Sequence, residues 1–158
     1  MLLSINAILI VTNGAALKKY NLPALAIWKA YSVVGVPPEV MGIGPAFAIP
    51  AVVRKAGLRL EDIDLFEINE AFASQIVFCI KFLGLREDLV NPQGGAISLG
   101  HPLGCSGTRL LISAAHYLRA NNKQYAVVSL CVGTGMGAAA LIENPSFSGR
   151  DNKFMSKL

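Results

Sequence analysis

Along the chain, apolar runs of strand length alternate with stretches in which apolar residues recur at helical spacing. The opening Met1-Leu2-Leu3-Ser4-Ile5-Asn6-Ala7-Ile8-Leu9-Ile10-Val11 is almost wholly apolar. It is too short to cross a bilayer and has no basic residues ahead of it, so it reads as a buried strand and not as a signal peptide. Residues 15–20 predict a short helix stopped by Asn21 and Pro23. Residues 24–34, rich in β-branched and aromatic side chains with a single charge at Lys29, predict a strand ending at Gly35 and Pro37-Pro38. A compact apolar helix follows from Pro45 to its stop at Gly57, with Pro50 inside it as a candidate kink.

Residues 63–68 alternate as a strand that points into Asn69, and Phe72, Ile76, Cys79, Ile80 and Leu83 then recur at helical spacing up to Gly84. Residues 91–107 are dense in glycine and read as a long loop, with helical character resuming over 108–120. Residues 125–130 predict a buried strand, Gly133-Thr134-Gly135-Met136-Gly137 a tight reversal, and 138–142 a second apolar strand. The expected architecture is α/β: a mixed five-stranded sheet with helices on its faces. Residues 1–144 form one domain in this reading, and residues 145–158 a loose polar tail.

With 158 residues, 53% hydrophobic and 15% charged, the chain has enough apolar material for a real core, which excludes a disordered segment. The net charge of +4 is spread without runs of one sign, so no nucleic-acid surface is expected. That excess would suit an anionic ligand, but it equally fits an ordinary surface. Cys79, Cys105 and Cys131 leave one thiol unpaired in any disulfide scheme and lack metal-ligand spacing, which favours reduced thiols inside a cell and predicts no metal site. No glycine fingerprint of a dinucleotide fold is present.

Asn69-Glu70 stands where a strand meets a helix start. Asn69 could cap that helix or position water or substrate, and Glu70 could simply favour the helix dipole. His101 lies in Gly100-His101-Pro102-Leu103-Gly104, where a titrating imidazole on a rigid loop can polarise a carbonyl or take a proton. His116, mid-helix, reads as structural. Cys131 ends a strand and opens a glycine turn whose backbone N–H groups can converge on an oxygen, offering a thiol for proton exchange beside an oxyanion donor. Cys79 reads as core, and Cys105 carries no catalytic expectation.

Three segments in order, Asn69-Glu70-Ala71-Phe72-Ala73, Gly94-Gly95-Ala96-Ile97-Ser98-Leu99-Gly100-His101-Pro102-Leu103-Gly104-Cys105-Ser106-Gly107 and Cys131-Val132-Gly133-Thr134-Gly135-Met136-Gly137, resemble the three C-terminal motifs of the thiolase family. Upstream, Ser32-Val33-Val34-Gly35-Val36-Pro37-Pro38 and Met41-Gly42-Ile43-Gly44-Pro45-Ala46 are similar to the peroxisomal 3-ketoacyl-CoA branch, so the likeness covers residues 24–143. It implies the second half of a layered fold built of two similar halves. It also implies an acyltransferase that cleaves 3-oxoacyl-CoA with coenzyme A in fatty-acid β-oxidation. Cys131 would be the acid/base thiol, His101 would activate the nucleophile and bind the thioester oxygen, and Asn69 would hold a water in that oxyanion site. Gly133 would offer its N–H to a second oxyanion site, and Phe72 would border the acyl or pantetheine channel.

The same likeness implies no cofactor beyond the coenzyme A thioester itself, and homo-oligomer formation or association with a thiolase N-terminal half. The family's acyl-accepting cysteine has no counterpart here, so these residues are expected to supply only the acid/base and oxyanion half. The competing reading is a non-catalytic half-thiolase, an interaction module or truncated product. A ketoacyl synthase would share the fold but lack the Cys131 motif. The three segments are expected to converge, with Asn69, His101 and Cys131 lining one pocket. Ser156-Lys157-Leu158 reads as a peroxisomal address; without it the location would be cytoplasmic.

Overall fold

In the computed structural model, which describes residues 6–149, helix α1 (Gly14–Tyr20) is bounded by two asparagines. The Asn13 side chain accepts the Ala16 N–H at 3.0 Å, and Asn21 closes the helix in the left-handed conformation. Strand β1 (Ile27–Gly35), helix α2 (Gly44–Lys55), strand β2 (Leu65–Ile68) and helix α3 (Ala73–Leu83) follow. Then come the single turn α4 (Ala96–Leu99), the long helix α5 (Leu103–Ala120), and the hairpin β3 (Tyr125–Val132) and β4 (Met136–Glu143).

The strands form one mixed sheet in the order β1-β4-β3-β2, antiparallel except for the parallel pair β2–β3. Two apolar layers enclose it. On one face Ala48, Ile49, Val52 and Val53 of α2 and Ile76 of α3 pack on Phe66, Ile68, Val127 and Leu141. On the other, Leu110, Ala114 and Leu118 of α5 cover Leu65, Ala126, Val128 and Ile142. Because side chains alternate across the pleat, each strand feeds both layers, which explains the continuous apolar runs in β3 and β4.

α2 sits unusually close to the hairpin. A Cβ on Gly44 would lie 2.6 Å from the Met136 carbonyl and 2.7 Å from Gly137 Cα, so backbone meets backbone there. A bulge at Lys29 in β1 puts Trp28 and Tyr31 on the same face, their ring centroids 6.0 Å apart. Both are more than 40% exposed beside α5, and with Leu103, Leu111, Leu130 and Ala140 they line an open groove of about 370 Å³.

Several expectations are corrected. The fifth strand was expected from the N-terminal run, yet Ile8, Ile10 and Val11 are more than 80% exposed and unpaired. An apolar run becomes a strand only with an edge to pair with and a layer to cover it, and these residues have neither among the described ones. A fifth position beside β2 is held instead by a single bridge, Phe66 to Val90. The glycine-rich loop is shorter than expected, because α5 starts at Leu103, immediately after Pro102, and runs through Gly104 and Gly107. The start of the tail is not loose: Asn122 and Ser148 exchange two hydrogen bonds, and Ser146 donates to Asn144. Residues 1–5 and 150–158, including Ser156-Lys157-Leu158, lie outside the described residues.

Candidate active site at the strand ends

The parallel pair β2–β3 gives the sheet an edge at which both chains leave in the same direction, the place where α/β folds commonly assemble sites. Asn69 is the first residue past β2, and its N–H bonds to the Ser129 carbonyl at 2.9 Å, two residues before Cys131 on β3. Asn69 is fully buried and caps nothing, since α3 begins at Ala73 with Phe72 as its N-cap and no side-chain capping bond. Its Nδ2 instead reaches His101 Nε2 at 3.2 Å.

His101 is delivered by Gly100, whose φ of +94° turns the chain out of α4 in a conformation L side chains rarely adopt. The other ring nitrogen, Nδ1, lies 2.7 Å from Ser106 Oγ in the first turn of α5. Glu70 anchors the same loop. Its carboxylate accepts from Asn91 Nδ2 at 2.9 Å and from the Ile97 N–H at 3.0 Å, so it serves the N-terminus of α4 and not that of α3. Its carboxylate fills the space a side chain on Gly95 would need. Asn91 completes the clamp by bonding both the N–H and the carbonyl of Ile68 at 2.8 Å.

Cys131 stands at the end of β3, half-buried, and burial raises its pKa above the ordinary thiol value. It therefore rests as a protonated thiol. The neighbouring Leu130 packs on the α5 side, so the pleat starts the Cys131 side chain toward α2 and α3, near enough to Cys79 that an ionised Cys131 would oppose ionisation of Cys79. Cys79 is fully buried and its pKa is pushed up to about 11, mainly by desolvation. Gly133 is exposed in the β3–β4 turn with open space where a side chain would project. Phe72 is 58% exposed beside Asn69-Glu70. His116 is exposed on α5, away from these contacts.

The structure thus bonds Asn69 to His101 and sets Cys131 on the same edge of the sheet, but it does not join imidazole and thiol. Both ring nitrogens are engaged by Asn69 and Ser106, and Cys131 leaves from the opposite pleat. A reacting carbon would have to lie over the strand ends to meet both.

Three contributors escaped the sequence reading. Ser106 and Asn91 are polar residues whose burial was the missing signal. The third is the ion pair of Glu67 Oε2 with Arg109 Nη1, 3.2 Å apart beneath the Asn69–His101 contact. Glu67 is 1% exposed, and desolvation raises its pKa to about 7 against the pull of Arg109. Among the described residues no cluster of His, Cys, Asp and Glu could hold a metal, and no helix is long and apolar enough to cross a membrane.

Residues 22–144 match the family model described as thiolase, C-terminal domain. Peroxisomal 3-ketoacyl-CoA thiolase B of Mus musculus is 56% identical over 140 residues, covering 88% of this chain and 33% of that protein. The chain therefore spans about a third of the length of the curated relatives it matches. Human mitochondrial 3-ketoacyl-CoA thiolase, solved in complex with CoA, superposes with a TM-score of 0.81 at 46% identity, covering 83% of this chain and 33% of that one. The dimeric peroxisomal thiolase of Saccharomyces cerevisiae gives 0.75 at 52% identity, covering 82% and 33%.

Proposed function

The chain belongs to the thiolase family through its C-terminal domain, and from that premise we propose that it supplies the acid/base and oxyanion half of a 3-oxoacyl-CoA thiolase. The observation that carries this reading is the part-buried Asn69–His101 contact at the end of the sheet where Cys131 lies near the end of β3. In this reading a cysteine thiolate from the first half of the fold attacks the 3-oxo carbon, and His101 takes the thiol proton. The bond between C2 and C3 then breaks, and its electron pair passes to the acetyl-CoA enolate. His101 and a water held by Asn69 stabilise the enolate oxygen, and the Gly133 N–H serves the tetrahedral oxygen at the attacked carbon.

Cys131 gives its proton to C2, which its raised pKa supports because the resting thiol is the acid. Coenzyme A then attacks the acyl-enzyme, its proton restoring Cys131, and as the shortened acyl-CoA leaves the expelled cysteine thiolate takes its proton back from His101. In this reading Phe72 borders the pantetheine channel, which its exposure beside Asn69 supports. The open groove at Trp28, Tyr31 and Leu103 supports a partner layer over the α5 side, either the first half of the fold or a second subunit. It is equally what a non-catalytic half that docks on another thiolase subunit would present.

The experiment is to follow loss of 3-oxoacyl-CoA enolate absorbance with free coenzyme A, using residues 1–158 alone and mixed with a separately expressed thiolase first half. Turnover is expected only in the mixture and should be lost with Cys131→Ala. Turnover by residues 1–158 alone, or a mixture that binds without turning over, would reject the catalytic division of labour. We also propose a peroxisomal location through Ser156-Lys157-Leu158. A reporter carrying these last residues should enter peroxisomes, and a diffuse cytosolic signal would reject the address.

A further inference from the structure

A neutral imidazole carries one proton for two nitrogens, and the neighbours of His101 decide which nitrogen holds it. Asn69 Nδ2 faces Nε2 at 3.2 Å, and an amide NH₂ only donates, so Nε2 is the acceptor. The proton therefore sits on Nδ1 and is given to Ser106 Oγ at 2.7 Å. Ser106 has a single hydroxyl proton, which goes to the Pro102 carbonyl at 3.2 Å, one helical turn back. The bonds run one way: amide to imidazole, imidazole to hydroxyl, hydroxyl to carbonyl. Ser106 is 1% exposed, so water cannot take its place, and α5 holds both its oxygen and the Pro102 carbonyl in register.

We propose that Ser106 is a positioning residue that holds His101 as the Nδ1–H tautomer and so keeps the Nε2 lone pair directed at Asn69 and the strand ends. The consequence for the reaction rests on the thiolase reading, whereas the tautomer itself does not. Nε2 is then the atom that takes the proton from the attacking thiol, while Nδ1–H stays on Ser106. Once Nε2 is protonated it faces a second donor, Asn69 Nδ2. The amide must then turn over, so that Oδ1 shares Nε2–H with the substrate oxygen and Nδ2 is freed to hold a water.

A buried atom that otherwise has no partner fits this exchange: Asn69 Oδ1 is unsatisfied in the resting arrangement. Proton uptake at one atom would thereby convert the pair from acceptor to oxyanion donor.

The test is nitrogen-15 NMR of the histidine rings in residues 1–158, read from two-bond proton–nitrogen correlations under conditions where the imidazoles are neutral. Wild-type His101 should give the Nδ1–H pattern, with the exposed His116 as internal reference. Ser106→Ala should shift the ratio toward Nε2–H, with the Asn69 amide turned so that its unsatisfied Oδ1 accepts from it, and Ser106→Thr, which keeps the hydroxyl, should retain Nδ1–H. An Nε2–H pattern in the wild type overturns the proposal without any variant, and an unchanged tautomer in Ser106→Ala overturns the role of the serine. No arm requires turnover, so a failed tautomer assignment is distinguishable from a failure of the thiolase reading.

Discussion

Replacing Arg109 with methionine keeps most of the side-chain length on α5 and deletes the charge facing Glu67. The pair is 3.2 Å apart, and Glu67 Oε1 and Arg109 Nη2 each lack a partner, so the carboxylate is held by one charged contact in a nearly dry site. At that distance and an effective dielectric near 20, the attraction is about 5 kcal/mol. Even with it, burial lifts the Glu67 pKa from 4.5 to about 7, roughly 3 kcal/mol of bias toward the neutral acid. Because the folded value is the raised one, the stabilisation is fully present below the unfolded pKa near 4.5 and is lost as pH climbs through about 7.

Arg109→Met removes the opposing pull, so the folded pKa rises further and Glu67 must take up a proton to stay buried. At about pH 8.5 the expected pH-dependent penalty is about 2 kcal/mol, because that pH lies about 1.5 units above the wild-type value of about 7, and lost stem packing adds under about 1 kcal/mol at either pH. Urea unfolding of wild type and variant at about pH 5.5 and about pH 8.5 checks this, and a Glu67→Gln/Arg109→Met double variant should lose the pH dependence of the deficit. An equal deficit at both pH values would refute the reasoning, since it would mean that Arg109 acts through packing and not by pairing a titrating acid.

Gly44→Ala should lower stability by about 1–3 kcal/mol, because its Cβ would press on the backbone of Met136 and Gly137 and neither can yield; Gly35→Ala, with open space around it, should be near neutral. Thermal denaturation of the pair checks this, and equal midpoints would contradict the close approach of α2 to β4. Under native conditions iodoacetamide should alkylate Cys131 well before the buried Cys79 and Cys105, at a rate that rises with pH as the raised thiol ionises. Peptide mapping reads the order, and modification of Cys79 at a similar rate would contradict its buried placement.

The hairpin, the buried strand β2 before Asn69 and the helices α2 and α3 were legible because burial leaves a period in the sequence. The hairpin runs are apolar on both faces since each strand serves both layers, and α2 and α3 each bury one apolar stripe while Phe47, Val77, Phe78 and Phe82 stay exposed. The run at Ile8–Val11 misled for the complementary reason. Hydrophobicity reports that a segment is suited to burial, whereas a strand also needs a neighbour to bond, and pattern alone does not supply one.

The start of α5 was misjudged because Gly104 and Gly107 weigh against helix by local propensity, at about 1 kcal/mol each. In the structure the first turn is held by Pro102 and by the packing of Leu110, Ala114 and Leu118, which outweigh that cost. That error hid more than a boundary. Placing the helix start at 108 leaves Ser106 in a loop with no fixed direction. With the start at Leu103, Ser106 lies one turn above Pro102 on the face toward β2, and Arg109 follows it three residues on toward Glu67. The same helix face therefore sets a hydroxyl under the imidazole and a guanidinium under the carboxylate, while Glu67 on β2 and Asn69, two residues on and just past its end, share the facing side of the chain. Polar groups recur there at the two periods of the fold, 2 along the strand and 3 to 4 along the helix. Polar residues recur at these periods on exposed faces as well, so the period of this seam does not by itself distinguish it from solvated surface.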